Sequence, residues 1–199
     1  MKKLFTLLLI SVFAINITSA QVEGEGTWIL GATTELSSAP WSQIAMQPTI
    51  GYFISDNMAV GLGFSLASSS QDTEMPDMGN GEFTITNSTS DMSIGPWMRY
   101  YLGEMMFVNA GVALGSGSAK WSTTENGADP SSTTDKTASM DLEIGAGASI
   151  LWGDHIAFEP MFGLSMGNSS VTPHGGDKIK GPSTMHVGFK IGVCVMLGN

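Results

Sequence analysis

Basic residues are scarce in this 199-residue chain: Lys and Arg number 8 against 18 Asp and Glu, for a formal charge of −10. A chain so short of cations has no electrostatic footprint for nucleic acid. Cysteine is nearly absent as well. Cys194 stands alone, so no intrachain disulfide can form and the disulfide-stapled class of small secreted domains is excluded; the residue is expected to pack as a small buried thiol. Long apolar runs are missing after the first twenty residues, where no stretch reaches the ~20 residues of a membrane helix. Charge of either sign is thin, at 13% of residues, which is little for a water-soluble surface. Glycine, in contrast, is plentiful at 25 residues and follows no collagen period. No phosphate-binding loop and no zinc-ligand spacing occurs, and no cofactor is expected.

The first segment has its own logic. Met1-Lys2-Lys3, the apolar run Leu4 to Ile15, and Thr18-Ser19-Ala20 before Gln21 predict a secretory signal peptide over 1–20 and a mature domain over 21–199. Loss of Lys2 and Lys3 takes the formal charge from −10 to −12.

What the rest of the chain does have is alternation. From Asn57 the sequence reads NMAVGLGFSLASS. Met58, Val60, Leu62, Phe64 and Leu66 fall on one face, and Ala59, Gly61, Gly63, Ser65 and Ala67 on the other. The same period of two recurs in segments beginning at Trp28, Ile44, Met92, Met106, Met140, Ile156 and Met185. Eight such segments predict eight strands. Their connections also alternate. Ser55-Asp56-Asn57, Gly103-Glu104 and Gly153-Asp154 are tight turns, while Ser37–Gln43, Ser69–Asp91, Ser116–Ala138 and Gly167–Thr184 read as longer polar loops. Short turns at one end and long loops at the other predict an all-β, eight-stranded antiparallel up-and-down transmembrane β-barrel.

The two faces fix its sense. Eight strands enclose room for packed side chains or one small ligand, and the bulky set would overfill that interior. Turned outward it meets lipid, and the Gly, Ala and Ser face fits the narrow lumen. Trp28, Tyr52, Tyr100 and Trp152 then point outward near the turns, as an aromatic girdle at the membrane boundary. Pro48, Pro96 and Pro160 also lie within strands, where a missing N–H predicts bulges or strained pairing.

Alternation sends Glu35, Arg99, Asn109, Asp141, Glu143, Glu159, His186 and Lys190 inward. Buried charges need partners, because desolvation costs several kcal/mol per ion. Heights along the strands predict ion pairs Arg99–Glu159 and Lys190–Glu35, with Asp141 and Glu143 in an upper network. A polar plug is expected in preference to a gated ion path. The same-face neighbours of His186 are Thr184 and Gly188, not serine, although Ser183 or cross-strand Ser165 could approach, so no catalytic triad is legible and an enzyme is not expected. Asp72, Glu74, Asp77 and Glu82 crowd one loop and are a weak candidate for Ca²⁺ or Mg²⁺ without EF-hand spacing; a solvated acidic loop is the default, and no metal site is expected.

The segments PTIGYFISDNMAVGLGF (Pro48–Phe64), GPWMRYYLG (Gly95–Gly103) and FEPMFGL (Phe158–Leu164) resemble the small outer-membrane β-barrel proteins of Gram-negative bacteria, the OmpX-like and OmpA-transmembrane-domain-like group with its porin-family barrel domain. The end of the chain, from Lys190 through Gly192 and Val195 to Leu197, is similar to that family's C-terminal assembly signal, but Leu197-Gly198-Asn199 stands where an aromatic is usual. The resemblance implies residence in the cell outer membrane and contact with outer-membrane lipid and lipopolysaccharide. It also implies recognition by the barrel-assembly machinery, no nucleic-acid partner and a monomeric state. It carries no catalytic signature. The function expected is structural or surface-interactive, with acidic extracellular loops over a closed polar interior; a narrow channel for small solutes or ions is the alternative, and a lipid-modifying enzyme a more distant one.

Overall fold

A computed structural model of the protein describes residues 24–35, 46–75, 83–125, 131–153 and 155–198. The expected signal peptide and the Ser37–Gln43 connection lie outside them. Each alternating segment forms a strand: β1 (Trp28–Glu35), β2 (Gln47–Ser55), β3 (Met58–Met75), β4 (Phe83–Leu102), β5 (Met106–Glu125), β6 (Ser131–Ala148), β7 (Ile150–Trp152), β8 (Ile156–Thr172) and β9 (Ile179–Leu197). All pairings are antiparallel, and β1 pairs with both β2 and β9, which closes the sheet into a ring. β6 and β7 are two parts of one stave, since both pair with β8 in a common register. The ring therefore has eight staves. Gly103 (φ 77°) and Gly153 (φ 72°) supply the left-handed conformation that two of the tight turns require.

The staves are tilted. One register row runs Tyr101, Phe107, Gly147, Met161, Lys190, Glu35, beginning beside a turn and ending at the far end of β1. Such a stagger is what closing eight twisted strands demands.

Three features depart from the sequence expectation. First, the polar stretches read as loops at 69–91, 116–138 and 167–184 are largely strand. β3 and β4 pair continuously from Met58↔Tyr100 to Met75↔Phe83, and β5 pairs with β6 up to Thr123↔Ser131. Strands of 18 to 20 residues in β3, β4, β5 and β6 are about twice the ~9–11 that cross a bilayer. The wall thus continues well past the apolar band. Second, the prolines interrupt pairing but carry no bulge. Register shifts occur between Phe53 and Ser55 and between Asn168 and Ser170. At Pro96 and Pro160 the ladder opens and resumes in the same register. β4–β5 pairing skips from Ile94↔Leu114 to Trp97↔Gly111, and pairing with β8 skips from Gly147↔Met161 to Ile150↔Phe158. A missing donor removes hydrogen bonds without inserting a residue, so the strand stays in step. Third, the inward face is far from empty at the turn end. Ile29, Phe53, Tyr101, Phe107, Met161, Cys194 and Met196 are all buried there.

Outward, the apolar band is as the alternation predicts. Leu62, Phe64, Leu66, Met92, Ile94, Met98, Leu142, Ile144, Phe158 and Val193 are among its exposed members. The girdle residues lie on this exterior: Trp28, Tyr100 and Trp152 are exposed and Tyr52 half-exposed. Trp28 and Tyr52 are register partners whose rings meet edge-on at 5.0 Å, while the Tyr100 hydroxyl accepts a 2.8 Å hydrogen bond from Asn57 Nδ2. In a double-mutant cycle with Trp28→Leu and Tyr52→Leu, urea unfolding of the vesicle-inserted barrel should report a coupling of about 0.5–1.5 kcal/mol. Additive losses would mean the two rings act independently.

Candidate functional site: the lumen and the raised wall

The lumen is built in layers. At the turn end the Phe53 and Tyr101 rings stack at 5.3 Å, and Tyr101 meets Phe107 at 5.8 Å. Above them the Arg99 guanidinium sits in a cage, with its Cζ 4.2 Å from the Phe107 ring centre and 5.4 Å from that of Trp97. Arg99 Nη1 donates to Glu159 Oε1 at 2.6 Å and to the Tyr101 hydroxyl at 3.2 Å. All three partners are buried, so the pair is held where water cannot screen it.

Trp97 forms the next layer, and it explains the bare face of β3. A Cβ placed on Gly51 or Gly61 would run into the Trp97 ring. Gly147 stands in the same relation to Phe107, whose Cζ a Cβ would meet at 2.6 Å. Glycines on one stave thus make room for the large inward side chains of another.

The upper lumen is polar. Lys190 pairs with Glu143, and Glu35 Oε1 lies 3.2 Å from His186 Nε2. This corrects the Lys190–Glu35 expectation. The two residues are register partners, but the lysine stem reaches across the lumen to β6, and His186 is beside Glu35. Asp141 and Asn109 line the same cavity of about 260 Å³, together with Glu143, His186 and Lys190. Among the described residues the lumen is thus polar above and filled below.

Of the groups that chemistry would need, Ser165 and His186 are register partners, but no hydrogen bond joins them among the described residues. Asp72 and Glu74 are exposed on β3, while Asp77 and Glu82 lie outside the described residues. No group of three or more His, Cys, Asp or Glu among the described residues could hold a metal ion.

Two sets of residues escaped the sequence reading. The filled lower lumen (Phe53, Trp97, Tyr101, Phe107, Met161) was available from parity, since all five stand on the odd, inward positions of their strands. The raised wall was not, because Ser and Thr occupy both of its faces.

Apart from the openings at Pro96 and Pro160, a closed ring lets neighbouring strands satisfy one another's backbone groups, and an apolar exterior band suits such a ring to a bilayer. The protein folds as a closed, eight-stave antiparallel β-barrel with an apolar exterior band. Solved structures resemble it in fold. The N-terminal β-barrel domain of Pseudomonas aeruginosa OprF is 13% identical and covers 88% of this chain and 100% of its own, with a TM-score of 0.40. Ail of Yersinia pestis is 13% identical over 87% of this chain and 99% of its own, with a TM-score of 0.41. Acinetobacter baumannii CarO is 10% identical over 88% and 98%, with a TM-score of 0.44. No family model and no curated protein matches the chain.

Proposed function

We propose that this chain is an integral outer-membrane protein whose work is done at the cell surface by the raised wall, in a structural or interactive role, and that its lumen is a plug. The observation that carries this reading is the filled lower lumen. Phe53, Tyr101, Phe107 and Met196 are at most 3% exposed, directly beneath the Arg99–Glu159 pair. A solute entering the 260 Å³ upper cavity meets this floor. Lipid and lipopolysaccharide are the surroundings the exterior suits.

Two measurements test the proposal. The detergent-folded protein should migrate differently on a gel with and without heating, and folded protein in planar bilayers should give no steady conductance. An unheated sample that already runs as unfolded chain would remove the barrel itself. Steady current steps abolished by Arg99→Ala would replace the plug with a gated channel.

A further inference from the structure

Six Lys and Arg residues follow residue 20. Arg99 and Lys190 are spent inside the lumen on Glu159 and Glu143. The other four are all exposed, Lys120, Lys136 and Lys180 on the raised wall and Lys178 in the connection just before β9. The turn end of the barrel carries Glu25, Asp56 and Glu104 and, among the described residues, no Lys or Arg.

The four lysines are neighbours. On β5 and β6 the outward face continues the parity of Leu114 and Met140, which makes Lys120 and Lys136 outward. Lys136 is the register partner of Ser118, and Lys120 that of Thr134, so the two are diagonal neighbours. Lys180 pairs with Ser170, which pairs with Ala138, two residues from Lys136. Lys178 lies two residues before Lys180. Lys136 is two outward positions beyond Met140, the last large apolar residue of its strand. With a rise of ~3.3 Å per residue along a tilted strand, its ammonium stands on the order of 10 Å above the apolar band, at headgroup height.

A groove of about 680 Å³ opens on the same exterior at this boundary. Its lower lining is Leu66 and Met92, its middle Ser68, Ser90 and Ser118 with Asp91, whose parity is inward, contributing to the wall, and its upper rim Lys136. Apolar contacts, hydroxyls and an ammonium in that order match an amphiphile standing upright in the leaflet, acyl chain below and phosphate above.

We infer that this lysine belt and the groove beneath it bind the phosphate-bearing headgroup of an outer-leaflet lipid. The chain as a whole is anionic, and clustering every free cation at one height on one side of the exterior gives an anionic lipid a single place to dock. The inference rests on the membrane reading above. It names a partner for the exterior and leaves the role of the lumen untouched.

The test uses the full folded protein in neutral detergent, incubated with diphosphoryl lipid A or its dephosphorylated analogue and then separated by size exclusion. Bound lipid is measured by fatty-acid mass spectrometry. Diphosphoryl lipid A should be retained at least tenfold better than the analogue, and retention should fall as salt rises. Changing Lys120, Lys136, Lys178 and Lys180 together to Gln should reduce it at least tenfold, with Lys136→Gln alone giving the largest single loss. The heat-dependent gel shift must persist in these variants. If it does, equal retention by wild type and the quadruple variant overturns the inference, as does equal retention of the two lipids. If heparin displaces the lipid and binds equally well without it, the partner is a soluble polyanion and the lipid assignment falls. Loss of the gel shift in the wild type would instead sink the barrel reading.

Discussion

Replacing Arg99 with Met is expected to lower the unfolding free energy by about 3–5 kcal/mol, because it strands a buried carboxylate. Glu159 is 3% exposed and receives the Arg99 Nη1 hydrogen bond at 2.6 Å. Without the guanidinium its carboxylate is left in an apolar layer with no counter-charge, which costs free energy. The double variant Arg99→Met, Glu159→Gln should recover most of the loss, since replacing both members of a buried pair is far cheaper than removing one. Urea titration of the vesicle-inserted barrel, read as the fraction keeping its unheated gel mobility, measures both. If the double variant is as unstable as the single one, the arginine serves chiefly as packing against Phe107 and Trp97. Its charge would then be incidental.

The second large effect concerns the glycines beneath Trp97. Gly51→Ala and Gly61→Ala should each cost about 1–3 kcal/mol through overpacking. The two differ in what they strike. At Gly51 the overlap is with the outer atoms of the Trp97 ring, and the nearest backbone atom, Val60 O, is 3.2 Å away. At Gly61 the new Cβ also collides with the carbonyl oxygen of Ile50. In a Trp97→Leu background, Gly51→Ala should therefore become nearly free, at less than about 1 kcal/mol, while Gly61→Ala should keep its cost. Equal rescue of both would mean that the side chain alone dictates glycine on these staves.

These cases show where the sequence is transparent. The eight staves and their outward faces are legible because bulky and small residues alternate without interruption, as from Met58 to Ala67. The hairpin extensions are opaque for the opposite reason. Ser68, Ser69 and Ser70 on β3 face Ser90, Thr89 and Ser88 on β4, so neither face differs from the other and period two leaves no trace. The charges inside are legible as inward, yet their partners are not. Strand position locates Glu35 beside Lys190, whereas the pairing depends on how far a long side chain reaches across a lumen only a few side chains wide. The ladder openings at Pro96 and Pro160 are legible in place and not in kind, because a missing N–H and an extra residue disturb a strand differently.

The ring's closure has a consequence for folding kinetics. Every other seam joins strands that are neighbours along the chain, and β3–β4 zips through eighteen pairs. The β1–β9 seam alone joins the two ends, Trp28 to Leu197, and has eight pairs to do it. The loop-closure entropy of nearly the whole described chain falls on that short seam. Hairpins can form locally and early, but the last step waits for the ends to meet. Changes along Gly31↔Cys194 or Thr33↔Gly192 should therefore appear first as slower insertion.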